Sequence, residues 1–305
     1  MLVGVLGLGS IGDRHARNLM NLGHQVVFHD PVVLGSMERD QVIKMSDAVI
    51  VCTPTKQHGR DLCDVLDARK HVLVEKPIGY DCPPYIAGYI MGARSEKPDL
   101  VVATGFNLRF HHCVKKVKQL IDGGFIGDLK EADFRVLQKN NKPEYLRDGV
   151  IRNWASHEID LARHLLGNLH VELCNVNMLG PTSKQDVSAY IQMVALDMNE
   201  ASVSVSADYL KHPEDRGFSI RSEDNMILCD LVKREVSWGP AWDFSGKEDH
   251  EAKFTDTFDE NYIDEMKAFI NAIEGKDRGP LADGSDGVAA LQIVMDARKK
   301  AGLDD

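Results

Sequence analysis

The chain has no apolar run approaching the roughly 20 residues that a membrane-spanning helix needs. Its opening, Met-Leu-Val-Gly-Val-Leu-Gly, has no basic stretch ahead of the apolar residues and runs straight into a motif, so a signal peptide is not expected. Six cysteines (Cys52, Cys63, Cys82, Cys113, Cys174 and Cys229) are scattered without a Cys-x-x-Cys pair, which points to reduced thiols in a cytoplasmic protein. Basic residues are scarce: 36 Lys and Arg against 47 Asp and Glu give a net charge of −11. That argues against nucleic acid as a main partner and against a polybasic membrane patch, while leaving local basic groups free to hold an anionic ligand. There is no internal repeat, low-complexity tract or long linker. What remains is ordinary for a globular protein, with 27% charged and 43% hydrophobic residues. The 305 residues suffice for two domains, each with its own core.

Leu2 to Leu6 reads as a short apolar strand that enters Gly7-Leu-Gly9-Ser-Ile-Gly12 and then a helix from about Asp13 to Leu22. This is Gly-x-Gly-x-x-Gly in the strand–turn–helix setting that dinucleotide binding requires. The first glycine permits the tight turn, the second admits a pyrophosphate to the backbone, and the third allows helix and strand to pack closely. Gln25 to His29 reads as the second strand, and Asp30 ends it eighteen residues after Gly12. A carboxylate there suits the adenosine ribose hydroxyls and repels a 2′-phosphate, favouring NAD over NADP. It is equally the residue expected of a turn before Pro31.

Apolar strands at Ala48–Cys52, His71–Glu75 and Leu100–Thr104 then alternate with helices at about Thr55–Ala68 and Pro84–Ser95. This alternation implies a doubly wound parallel sheet, an α/β fold whose ligands bind beyond the carboxyl ends of the strands. Thr53, Lys76 and Gly105 stand at such ends. Lys76 is then either a cofactor neighbour or a surface lysine in a turn set by Pro77.

Asn153 to Gly167 reads as a helix. Ala155, Ile159, Ala162 and Leu166 share one side, widened by Leu161 and Leu165, and Gly167 stands at the C-cap. Asn153, His157, Asp160 and His164 line the opposite stripe at spacings of four, three and four. The stripe is open to two readings, a polar surface face or an amide, two imidazoles and a carboxylate presented to a site. Arg109 to about Gly123 reads as an amphipathic helix. Its His111-His112-Cys113 does not make a metal site, because adjacent helical residues point about 100° apart, and no metal is expected elsewhere. Residues 138–152 read as a polar loop with Tyr145, Arg147 and Arg152 as possible substrate contacts or as solvated residues. Short strands follow at 170–178, 186–196, 201–208, 216–222, 226–231 and 234–238, and two helices close the chain at Phe258–Glu274 and Asp283–Lys300.

With these motifs in order, the sequence resembles the Gfo/Idh/MocA family of NAD(P)-dependent oxidoreductases. The resemblance covers nearly the whole chain. It runs through the glycine loop, Cys52-Thr-Pro-Thr-Lys-Gln-His58, Lys70-His-Val-Leu-Val-Glu-Lys-Pro77, Gly105-Phe-Asn-Leu-Arg-Phe110 with Ile121-Asp-Gly-Gly-Phe-Ile-Gly127, the helix around His157, and Phe258 to Phe269 with Pro280-Leu-Ala-Asp-Gly-Ser-Asp-Gly287. It implies a Rossmann domain over residues 1–105 and an α/β domain with a large, mostly antiparallel open sheet over 106–305. The C-terminal helices could pack back on the first domain. It further implies cofactor contacts from Gly7, Gly9, Ser10, Ile11, Gly12, Asp30, Thr53, Pro54, His58, Glu75 and Lys76. Lys76, Arg109, Asn153, His157 and Asp160 are implied for the substrate, a sugar, sugar acid, cyclitol or sugar nucleotide. A homo-oligomer, dimer or tetramer, belongs to the same implication. The chain departs from the family at Asn153, where Asp is common. Asparagine can hold a hydroxyl or an imidazole but cannot stabilise an imidazolium by charge.

The expected chemistry is hydride transfer between nicotinamide and a hydroxyl-bearing carbon, with Lys76 carrying the proton and His157 polarising or orienting. Desolvation and the positive charge of oxidised nicotinamide would both lower the lysine pKa toward the working range. Two alternatives stand beside it: a NAD-binding sensor without net redox turnover, and an enzyme that holds NAD tightly while cleaving or epimerising a glycoside.

Overall fold

The computed structural model describes residues 1–139, 148–180, 185–241, 250–255 and 257–303. Tyr145 and Arg147 lie outside them. The chain divides into two compact units. One comprises Met1–Phe110 with Thr257–Leu291, the other His111–Asp256 with Gln292–Asp305. In this division the first unit runs to Phe110, where the expectation set residue 105, and also takes in residues 257–291.

In the first unit, β1 (Leu2–Leu6), β3 (Ala48–Val51), β4 (His71–Glu75) and β5 (Val102–Gly105) are buried almost throughout. Such uninterrupted apolar runs need a parallel sheet covered on both faces. With β2 (Gln25–His29) and the two-residue β14 (Ala282–Asp283), they form a sheet in the order β14-β5-β4-β3-β1-β2. All its pairs are parallel except β14 with β5. The order reverses at β1, whose neighbours β2 and β3 lie on opposite sides, so the switch point lies beside the end of β1.

The crossovers are α1 (Ser10–Asn21), α2 (Arg39–Met45), α3 (Thr55–Asp67) and α4 (Pro83–Glu96). A further helix, α7 (Phe258–Ile273), sets Met266 and Phe269 into the core with Val3, Val5, Ile50 and Leu73. This contact is why the late segment belongs to the first unit: it covers apolar surface that the N-terminal crossovers leave open.

The second unit holds a larger sheet in the order β13-β12-β11-β10-β6-β9-β8-β7 among the described residues. Its strands are β6 (Leu129–Leu137), β7 (Leu169–Met178), β8 (Asp186–Ala195), β9 (Ala201–Asp208), β10 (Asp215–Ser222), β11 (Asn225–Asp230), β12 (Glu235–Pro240) and β13 (His250–Lys253). Only β6 and β9 pair in parallel. The alternation of β9 shows why the sheet has two different faces. Val203, Val205 and Ala207 are buried, while Ser202 is exposed and bonded to Gln192 at 2.7 Å.

Packed in this unit are α5 (His112–Asp122) and α6 (Ser156–Leu166), and α8 (Gly284–Lys300) contributes its second half. Helix α5 starts three residues later than its pattern suggests. Asn107–Phe110 forms a separate 3₁₀ turn, and His111 caps the new start, its Nδ1 accepting the Cys113 N–H at 3.2 Å. The His-His-Cys run is therefore a helix start.

Candidate functional site

The glycine loop separates into two kinds of glycine. At Gly7, φ is +86° and a Cβ would lie 2.6 Å from the Cys52 carbonyl oxygen. At Gly12 it would lie 1.9 Å from the Gly7 carbonyl oxygen. Backbone packing excludes any side chain at either position. Gly9 is exposed at the N-cap of α1, and a Cβ there would meet nothing within 4 Å. The open space above Gly9 and the first-turn N–H groups of α1, which begins at Ser10 and Ile11, make a cradle of the kind that can hold a pyrophosphate.

Asp30 is fixed to this loop. Its Oδ2 accepts the Leu8 N–H at 2.7 Å, its Oδ1 accepts the Val32 N–H at 3.0 Å, and its own N–H donates to Ser36 Oγ at 2.8 Å. The turn role is thus real, and it holds the carboxylate beside the glycine loop with lone pairs to spare for two hydroxyls. No Lys or Arg occurs between Asp30 and Arg39. Arg39 is itself clamped by Asp61 at 2.7 Å and Asp64 at 2.6 Å.

The next strand ends carry the rest of the expected cofactor set. Thr53 Oγ1 donates to Asp61 Oδ2 at 2.6 Å, and Pro54 is the N-cap of α3. His58 is buried, with Nδ1 at 2.7 Å from the Pro77 carbonyl oxygen and Nε2 at 2.7 Å from that of Thr53. It straps the end of β3 to the turn after β4, so both ring nitrogens serve the backbone rather than a ligand.

Glu75 is buried at the end of β4 and meets His15 Nε2 at 2.7 Å through Oε1. Burial pushes its pKa up, but the hydrogen bond and charge of His15, with Lys76 and His58 behind, outweigh that and hold it below the usual value. It therefore acts from beneath the site. Lys76, half-buried, follows at the mouth of the strand ends.

Arg109, expected in the substrate set, lies within the first unit. It is 5% exposed and donates to Asp286 Oδ2 at 3.1 Å from the 3₁₀ turn.

In the second unit the helix around His157 is not regular from its start. Ile151–Ala155 is a π turn, in which the Ser156 N–H reaches back to the Ile151 carbonyl. Its entry is held by Asp186, whose Oδ2 accepts the Ile151 N–H at 2.8 Å and whose Oδ1 pairs with Arg298 at 3.4 Å. Trp154 packs edge-on against Tyr209 at 4.3 Å between ring centroids. Asn153 thus sits on the wide turn, and His157 follows on α6. Both are half-buried, as is His164. Asp160 is 1% exposed, so it belongs to the interior and the stripe is not a continuous open face. Arg152, offered as a loop residue, is also buried in the π turn. Glu158, missed by the pattern, is 1% exposed and bonds Arg216 of β10 at 2.8 Å. Glu265 on α7 was also missed, although Asn261, Glu265 and Phe269 fall on one helix face, and all three are buried.

A parallel sheet with a glycine cradle at its switch point and an anchored acid at the end of β2 defines a dinucleotide-binding α/β protein. Residues 27–83 match the model of an oxidoreductase family with a NAD-binding Rossmann fold, and residues 114–227 match the Gfo/Idh/MocA C-terminal domain, together more than half of the chain. The chain belongs to the Gfo/Idh/MocA family of oxidoreductases. Myo-inositol 2-dehydrogenase of Thermotoga maritima is 25% identical, over 98% of this chain and 96% of its own. Two solved structures share the fold. A levoglucosan dehydrogenase in complex with NADH and levoglucosan has a TM-score of 0.84 at 20% identity, over 99% of this chain and 97% of its own. UDP-N-acetylglucosamine 3-dehydrogenase of Acidithiobacillus ferrooxidans has a TM-score of 0.83 at 21% identity, over 100% of this chain and 99% of its own. No helix among the described residues is long and apolar enough to cross a membrane.

Proposed function

We propose that the protein is a NAD-dependent dehydrogenase acting on a secondary hydroxyl of a sugar, sugar acid, cyclitol or sugar nucleotide. The observation that carries this reading is the pairing of an open cradle at Gly9 with Lys76 at the end of β4, both on the ligand side of one parallel sheet. Family membership and the substrates named for its relatives support the substrate class. Asp30, anchored by the Leu8 and Val32 amides without a basic residue before Arg39, favours NAD over NADP.

Bound NAD supplies the hydride acceptor. Lys76 takes the substrate hydroxyl proton at Nζ during oxidation and returns it during reduction. Asn153 orients the substrate by accepting a hydrogen bond at Oδ1 and donating one at Nδ2. His157 adds a donor or acceptor that holds the reacting hydroxyl. Because Asn153 carries no charge, the proton is assigned to Lys76 and not to an imidazole backed by a carboxylate. Thr53 and His58 keep the strand ends in place around the cofactor. The proposal includes a homo-oligomer, with the hydrogen-bonded polar row of Tyr190, Gln192 and Ser202 as a surface suited to contact. It also includes the cytoplasm, whose reducing conditions suit six free cysteines.

The test is incubation with NAD and a panel of sugars, sugar acids, cyclitols and sugar nucleotides, following NADH absorbance. Lys76→Ala should lower kcat by at least about 10²-fold, as loss of a general base does, with NADH binding nearly unchanged. Retention of most activity by Lys76→Ala would overturn the assignment. Departure from the family at Asn153 favours a second reading, a NAD-binding sensor, and NAD binding with no NADH formed from any panel member would select it.

A further inference from the structure

Beneath the strand ends of the first unit lies a buried cluster for which the proposed reaction has no use. His15 of α1, Glu75 of β4 and Glu265 of α7 each place one polar atom within 4.8 Å of the other two. Their exposures are 0%, 8% and 0%. The closest contact joins His15 Nε2 to Glu75 Oε1 at 2.7 Å. Room for the carboxylate comes from Gly105, where a Cβ would lie 3.1 Å from Glu75 Cδ. The Lys76 N–H donates to the other oxygen, Oε2, at 3.3 Å. The titratable groups facing Glu75 are His15 from α1, Glu265 from α7, His58 from α3, Cys52 just beyond β3, and Lys76 next in the chain. Burial pushes the Cys52 thiol well up, and the charges of Glu75 and Glu265 push it further, so the negative field of the pair extends under the glycine loop.

Two carboxylates and one imidazole so close together and so deeply buried cannot change charge independently. The basic groups that act on Glu75 are His15, Lys76 and His58. Whatever charge the cluster carries is therefore felt by the amine of Lys76, and the coupling is reciprocal.

We propose that His15 and Glu265 are positioning residues that act through Glu75, setting the charge beneath Lys76 and hence the pH at which its amine takes or releases a proton. The proposal rests on Lys76 as the proton carrier. A negative cluster stabilises the ammonium that forms when Lys76 accepts the substrate proton. The His15 imidazole, hydrogen-bonded to Glu75, limits that stabilisation, so that the proton can leave again in the reverse reaction.

Competitive labelling of the NAD-loaded full chain with trace acetic anhydride, read at the Lys76 peptide by mass spectrometry across pH, measures the titration without any substrate. Glu265→Gln replaces a carboxylate with an amide and should lower the Lys76 midpoint by about one pH unit, while His15→Gln removes the imidazole that partners the Glu75 carboxylate and should raise it by about as much. Damage to packing alone gives no such opposition of sign. NADH fluorescence checks that each variant is folded and binds cofactor. Wild-type midpoints in both variants, or shifts in the same direction, would overturn the proposal. Should His15→Gln not fold, Glu265→Gln decides alone: a lower midpoint supports the proposal and an unchanged or higher one overturns it. The catalytic role of Lys76 fails separately, on turnover by Lys76→Ala, and that failure would leave the labelling result standing.

Discussion

Gly9→Ala separates cofactor binding from folding more cleanly than any other change in the glycine loop. The added Cβ meets no atom within 4 Å, and φ at Gly9 is −64°, which alanine adopts freely. Loss of a glycine N-cap costs up to about 1 kcal/mol. Reduced freedom of the unfolded chain returns about 0.4–1 kcal/mol. The two nearly cancel, so the cofactor-free protein should melt within about 3 °C of wild type. Binding responds differently, because the methyl group fills the space through which a pyrophosphate reaches the backbone. Losing one charge-assisted hydrogen bond costs about 1.5–3 kcal/mol, which raises the NADH Kd by roughly 10- to 150-fold.

Gly12→Ala is the contrast. Its Cβ would lie 1.9 Å from the Gly7 carbonyl oxygen, so the backbone itself must move. That strain costs about 2 kcal/mol or more and should lower the melting temperature by roughly 4–8 °C before any cofactor is added. NADH fluorescence titration and thermal melting without cofactor measure the two effects. Wild-type NADH affinity in Gly9→Ala would refute the cradle, and melting as early as Gly12→Ala would refute the assignment of Gly9 to open space.

Asp30→Asn keeps the size of the side chain but turns an amide NH₂ toward the Leu8 or Val32 N–H, both of which now donate to the carboxylate. The ratio of NADPH to NADH dissociation constants should fall at least about tenfold, equivalent to about 1.4 kcal/mol, and an unchanged ratio would remove Asp30 from the cofactor site. Asp283 tests a different kind of contact. It receives Arg94 at 3.1 and 2.7 Å, and the Ser285 N–H and hydroxyl at 2.9 and 3.0 Å. Burial raises its pKa, but these bonds outweigh burial and hold it below the usual carboxylate value. A carboxylate depressed in this way stabilises the fold fully above its unfolded value of 3.8 and loses that contribution as pH falls through its depressed value. Asp283→Asn should therefore cost about 1–3 kcal/mol at pH 7, with a smaller difference from wild type once pH drops below 3.8. Urea unfolding at both pH values measures it, and a difference that does not shrink in acid would refute the linkage.

Motifs written in backbone geometry were legible from the residues alone. Gly7, Gly12 and Asp30 owe their identities to local turns and close approaches, and β1, β3 and β4 to unbroken apolar runs. The alternation of β9 holds at Ser202 but not at Ser204, which is buried and bonded to Asp133. Elements defined by their partners were not legible. Helix α2 is seven residues long, too short to show a full apolar period. Strand β14 has two residues and exists because β5 needs a neighbour. Arg109 looked available in sequence and proved buried against Asp286, nearly 180 positions away. Asp160 carried the right spacing for a site stripe, but spacing does not tell which polar residue faces the interior.

The π turn at Ile151–Ala155 bears most directly on chemistry. On a regular helix Asn153 and His157 would stack one turn apart. A π turn bonds one residue further back, so it widens the helix locally and rotates Asn153 relative to His157. The wide turn is not left to itself. Asp186 holds the Ile151 amide, Arg298 holds Asp186, and Tyr209 packs on Trp154. Asn153, where the resemblance leads one to expect Asp, thus stands where the backbone departs from a regular helix. In the proposed function the side chains that hold the substrate stand on and just after this irregular, individually braced turn, so a local change of helix register there would redirect which hydroxyl is held.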